Sequence, residues 1–193
     1  TFTFTYALLL DLVVVAISFF QKWRKLYLLS FVGTYMIFFG WYVRYTPELL
    51  GSTMVWVTLF YILFLAAPLL PSFMRREKSD HHDVVVIALN SLCYFPTVYF
   101  LLNPLYHALI GFFFAGWAAI ALAIALALRS THPEDRFGVM MTGGVGLVLA
   151  TIAIPVQLTG HWITIAWAVE GVVLTWMGMQ LTDRSVRTFG LLV

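Results

Sequence analysis

The chain has 193 residues, of which 62% are hydrophobic and 10% charged, with a formal net charge of +2 and a mean hydropathy of +0.92. A soluble domain carries about 25% charged residues, and a protein this small keeps much of its surface in water. The composition therefore excludes a water-soluble fold and points to the bilayer as solvent, while the weak charge, without any basic stripe in a polar setting, argues against nucleic acid as a partner.

Taken in chain order, the apolar stretches predict an all-α polytopic transmembrane bundle of about seven spans, within one segment covering residues 1–193. The first residues, Thr1 to Tyr6, hold no basic n-region, so the opening stretch is not a signal peptide. Span one is expected from Phe4 to Phe20, span two from Leu26 to Val43 and span three from Gly51 to Phe73. Val84 to Leu128 is a run of 45 residues free of Asp, Glu, Lys and Arg. One crossing takes about 20 residues, so this run must turn back once, and Asn103-Pro104 is the natural place. It is read as spans four, Val84 to Leu102, and five, Leu105 to Leu128. Span six is expected from Phe137 to Leu158 and span seven from His161 to Leu181, with a truncated eighth after Arg187. Both ends read as cut, as in a piece of a longer chain.

The connections sort by charge. Lys22, Arg24 and Lys25, then Arg75, Arg76 and Lys78, then Arg129 and Arg136, then Arg184 and Arg187 all fall in odd-numbered connections, leaving Arg44 alone in an even one. Basic residues mark the cytoplasmic side of short loops, so the odd connections are expected inside. Gly111, Ala115, Ala119, Ala123 and Ala127 in span five, and Gly138, Thr142, Gly146 and Ala150 in span six, recur every four residues. Small residues so spaced let helix backbones approach closely in lipid, and these two spans are expected to pack together. Pro68, Pro96 and Pro155 are candidate kinks in spans three, four and six.

Two formally charged residues lie well inside spans, Asp11 and Glu170. Acids at that depth cost from about 2.5 kcal/mol upward and usually face the bundle interior. No Lys or Arg matches their depth, so each is expected to be protonated, bonded to hydroxyl, indole or water, or paired from outside the segment. They serve either as hydrogen-bonding fasteners between helices or as a proton relay or polar cargo site. Glu170 is expected to point inward and to carry its proton, with Trp167 one turn earlier on the same face. His161 precedes Glu170 by nine residues, about half a turn out of phase on a helix, which excludes a local dyad. His161 and Trp162 suit an interfacial anchor.

A candidate outer cluster gathers Asn103, Tyr106, His107 and His161, and a haem ligand pair of His107 with His161 is the minor reading of it. Asp80-His81-His82-Asp83 reads as a solvated loop rather than a metal site, because consecutive residues point in several directions. The single Cys93 forms no intrachain disulfide and reads as a buried, inert thiol. No nucleophile elbow, His-Glu-x-x-His pair or Cys-x-x-Cys occurs, so neither a metal nor a cofactor is expected and the reading leans away from an enzyme.

Two stretches carry a likeness. Trp23-Arg24, Leu29-Ser30-Phe31-Val32-Gly33-Thr34 and Phe38-Phe39-Gly40-Trp41 in span two, with Gly160-His161-Trp162, Trp167-Ala168 and Glu170-Gly171 in span seven, resemble a family of large bacterial predicted membrane proteins classed as a domain of unknown function. The resemblance implies a bacterial cytoplasmic membrane and a longer parent chain, and it assigns no catalytic role to any residue. The leading functional expectation is a structural or accessory membrane component, in contact with lipid and with other membrane subunits or the rest of its own chain. The rivals are a transporter or channel module using Asp11 or Glu170, which needs a polar cavity, and an enzyme of envelope glycan or lipid metabolism, which needs an outward pocket collecting the four outer residues.

Overall fold

The computed structural model describes residues 2–21, 23–75, 79–158 and 161–180, with side chains throughout except at 24, 161, 162, 173, 174 and 176–180. Among these residues the fold is all helix: α1 (Phe2–Gln21), α2 (Arg24–Tyr42), a 3-10 turn (Pro47–Leu49), α3 (Leu50–Arg75), α4 (His81–Thr131), α5 (Arg136–Gln157) and α6 (His161–Gln180). Four of them are long and apolar enough to cross a membrane: α1, α3 with its 3-10 turn, α4 and α5. The expected eighth span lies outside the described residues.

The helix starts follow local chemistry. Thr46 is extended before Pro47, as the residue preceding a proline prefers. Asp80 caps α4 in a capping box with Asp83, each carboxylate accepting a backbone N–H of the other's turn. Asp135 caps α5, accepting from the Gly138 N–H. The backbone stays helical through Pro68, Pro71, Pro96 and Pro155, which membrane helices tolerate.

The 51 residues of α4 are not one rod. Tyr106, two residues after Pro104, leaves helical geometry at φ −131° and ψ 34°. Phe95 stacks edge-on against Phe114 with ring centroids 5.6 Å apart, and Tyr94 lies 5.9 Å from Trp117. On a straight helix Phe95 and Phe114 stand about 28 Å apart, so the chain doubles back at Tyr106 into two antiparallel arms. The expected turn at Asn103-Pro104 is therefore observed within one turn of its place.

α1 packs on α2 and α3, α2 and α3 on α4, α4 on α5, and α5 on α6. The core is aromatic on one side, where Phe4, Phe38, Phe60, Phe64, Tyr61 and Tyr94 are almost wholly buried, and built from small residues on the other, between the second arm of α4 and α5. There the expected ribbon is half right. Gly138, Thr142 and Gly146 of α5 are buried, but on α4 only Gly111 of its ribbon is, while Ala115, Ala119, Ala123 and Ala127 are exposed. The buried face is instead Gly111, Phe114, Ala118, Ala121, Ala125 and Leu128. A strict spacing of four drifts by about 40° per step, whereas alternating steps of three and four stay on one side of a helix. A Cβ at Gly146 would stand 2.8 Å from Leu122 Cγ and 3.1 Å from the Leu122 backbone nitrogen.

Candidate functional site

Asp11 sits in the middle of α1 and is 1% exposed. Ser30 Oγ donates to its Oδ1, and Thr34 Oγ1 donates to its Oδ2 at 2.7 Å. The donors are one turn apart on α2 and so share a face. Counting equal distances from the short α1–α2 connection places Thr34 opposite Asp11, so the hairpin itself delivers the partners. Both carboxyl oxygens are occupied by hydroxyls of a neighbouring helix.

Glu170 is the tenth of the twenty residues of α6 and is half-buried against α5. Its Oε1 lies 2.9 Å from Thr151 Oγ1, which also lies 3.0 Å from the Leu147 carbonyl oxygen. Its Oε2 is shielded from solvent and has no hydrogen-bond partner among the described residues. The Trp167 indole does not reach the acid. It donates to the Thr151 carbonyl oxygen at 3.2 Å. Glu170 and Trp167 thus converge on one residue of α5 from the same face of α6. Asp11 and Glu170 are not brought together, since α1 packs on α2 and α3 while α6 packs on α5.

The outer cluster forms only in part. His107 Nδ1 and Asn103 Oδ1 meet at 2.8 Å, one turn apart on an exposed surface. Tyr106 occupies the break between the arms and is 49% exposed. The His161 and Trp162 side chains lie outside the described residues. Gln157, which the sequence did not single out, reaches across this end instead. Its Nε2 donates to the Ala108 carbonyl oxygen at 3.0 Å, and its side chain fills the space a Cβ at Gly111 would take.

A polar tie through the core was also missed. Asn90 is fully buried. It accepts from the Tyr35 hydroxyl at 2.8 Å and donates to the Tyr61 carbonyl oxygen at 2.8 Å, tying α2, α3 and the first arm of α4 together. Beside it the Tyr61 and Tyr94 rings stack at 4.2 Å, with the Tyr94 hydroxyl 2.9 Å from Thr58. A polar residue inside the 45-residue apolar run was the available signal.

At the cation-rich end of the helices the Asp80–Asp83 stretch corrects its expectation. It is the first turn of α4 rather than a solvated loop, and Asp83 is 3% exposed, accepting from the Tyr27 hydroxyl and the Asp80 N–H. Asp135 is equally buried and accepts from Ser72, from Ser79 through both hydroxyl and N–H, and from Gly138. Among the described residues no group of three or more His, Cys, Asp or Glu side chains could hold a metal ion. Cys93 is half-buried and free.

Among the described residues, two of the grooves between the helices are well formed. One, of about 620 Å³, lies between the arms of α4 and α5, lined by side chains such as Leu92, Phe95, Phe114 and Val148. The other, of about 530 Å³, lies between the second arm, α5 and α6, where Ala115, Ala119, Ala150, Gln157 and Glu170 form its walls. Neither includes Asp11, Asn103, Tyr106 or His107.

Compared with known proteins, residues 1–193 match the model of the family described as predicted membrane protein, DUF2339. No curated protein and no solved structure is significantly similar to the chain. The chain belongs to the DUF2339 family of predicted membrane proteins.

Proposed function

We propose that this member of the family is a structural or accessory membrane component whose intramembrane carboxyl groups fasten helices rather than relay protons. The observation that carries the reading is Asp11, with both oxygens bonded to α2 hydroxyls and neither of the two grooves described above reaching it. Glu170 supports the same reading. The Thr151 hydroxyl has one proton and two oxygen neighbours, the Leu147 carbonyl and Glu170 Oε1. Both contacts are satisfied together when the Glu170 carboxyl carries its own proton and donates to Thr151, which in turn donates to Leu147. The mostly apolar walls of both grooves speak against an ion path. A double variant, Asp11→Asn with Glu170→Gln, keeps size and hydrogen bonding while removing both titratable protons. Near-normal thermal stability and an unchanged cellular phenotype of the intact parent protein are expected. Loss of a pH-coupled phenotype with the fold intact would favour transport.

Counting the arms of α4 separately, and α2 and α6 as crossings, gives seven passes, with Lys25, Arg75, Arg129 and Arg136 on one side and Arg44 on the other. The proposed setting is a bacterial cytoplasmic membrane with the cation-rich side inward. Thr46, before the 3-10 turn, and Thr131, the last residue of α4, are exposed and fall on opposite sides in the proposed seven-pass arrangement, unlike Ser79, which is buried against Asp135. Cysteines at Thr46 and Thr131, in a Cys93→Ala background, are expected to label from opposite faces of intact membranes. Labelling from one face would refute the seven-pass arrangement.

A further inference from the structure

Among the described residues, the groove between the second arm of α4, α5 and α6 has acceptors and no spare donor. Glu170 Oε2 and Gln157 Oε1 lack partners among the described residues. The neighbouring donors are spent: the Gln157 amide on Ala108, the Trp167 indole on Thr151, and the Thr151 hydroxyl within its own contacts. Buried acceptors without a donor are costly in hydrocarbon, where water cannot replace the missing bond.

We propose that this groove seats a partner transmembrane helix that presents a hydrogen-bond donor to Glu170 near the middle of the membrane. Depth decides between a helix and a lipid. Glu170 lies roughly 15 Å from either end of α6 at 1.5 Å per residue. A lipid acyl chain brings no donor to that depth, because its polar atoms stay at the interface, whereas a helix carries Ser, Thr, Asn or Gln there readily. The walls suit a helix as well. Ala115 and Ala119 are exposed on one side and Ala150 lies on the other, leaving room for close backbone approach. Glu170 lines the wall, its Oε2 is shielded behind it, and its terminal torsion is soft, so rotation of the carboxyl is what brings an oxygen to an arriving donor.

This inference rests on the fastener reading, with Glu170 now fastening a neighbour as well as α5. The test reconstitutes the protein in vesicles with a donor dye on a cysteine at Thr131, in a Cys93→Ala background. Acceptor-labelled peptides of about 20 Leu and Ala residues, with either Asn or Leu at the centre, serve as probes. The Asn peptide is expected to associate roughly three- to tenfold more tightly than the Leu peptide, the range of one interhelical hydrogen bond. Glu170→Leu should abolish the difference and Glu170→Gln, which keeps an acceptor, should retain it. Ala119→Leu should block both peptides without lowering the melting temperature. Equal binding of the two peptides, an Asn preference that survives Glu170→Leu, or no binding beyond random mixing with lipid alone in the groove would overturn the proposal. A proton-relay phenotype for Glu170→Gln, by contrast, would overturn the fastener reading while leaving the Asn preference in place.

Discussion

The two helix hairpins at the ends of the packing order solve one problem in different ways. In α1–α2 an acid at mid-helix meets two hydroxyls and is 1% exposed. In α5–α6 an acid at mid-helix meets one hydroxyl, leaves an oxygen unbonded and lines a groove. The first seam is complete within the described residues and the second is not. Burial cost alone does not distinguish a structural acid from one awaiting a partner. The count of donors around each oxygen does.

The largest expected effect tests whether the groove and the packing seam are separate surfaces. Gly146 presses on Leu122, whereas Ala119 faces outward. Gly146→Leu is expected to destabilise by about 1–3 kcal/mol through overpacking, and Ala119→Leu by close to nothing in the isolated protein. Equal losses in thermal or denaturant unfolding would merge the two surfaces and remove the groove as an independent feature.

The next effect concerns the acids themselves. Interhelical hydrogen bonds in membranes average about 0.6 kcal/mol. Asp11→Ala deletes two such bonds and Glu170→Ala one, so the expected losses are about 1.2 and about 0.6 kcal/mol. The comparison breaks if Glu170→Ala proves the costlier change, since the α5–α6 seam would then be the more tightly fastened of the two.

Much of this architecture was legible before any coordinates. Helix bounds fall within a few residues of those expected because long apolar runs ending at charges and caps leave little freedom, as at Asp135 before α5. The reversal near Pro104 followed from length alone. The mid-helix positions of Asp11 and Glu170 were also readable, but their partners were not, because Ser30, Thr34 and Thr151 look like ordinary span residues until two helices are set side by side. Equal counting from the α1–α2 connection would have found Thr34. The Asn90–Tyr35–Tyr61 tie needs three helices in register, which no single-helix periodicity supplies. The alanine ribbon misled because spacing by four describes a stripe that winds around the helix, and its outer part faces the groove rather than α5.

The smallest expected effect is spectroscopic. Glu170→Gln should change stability by no more than a few tenths of a kcal/mol, because the amide replaces the carboxyl in size and can donate its N–H to Thr151 while the unbonded oxygen stays an acceptor. What should disappear, on the fastener proposal, is the carbonyl stretch of a protonated carboxylic acid, read as a band in the infrared difference spectrum between wild type and Glu170→Gln. Thr151 has one proton to give and two oxygens at 2.9 Å and 3.0 Å, and the fastener proposal supplies the second proton from Glu170. Thr151→Val, which removes the hydroxyl, should shift that band without erasing it, since the acid then loses a hydrogen-bond partner rather than its proton. A wild-type spectrum with only carboxylate bands from Glu170 would mean that Thr151 turns its single proton toward an ionised acid. The groove would then call for a cation in place of a neutral donor, and the two hairpins would differ in charge as well as in completeness.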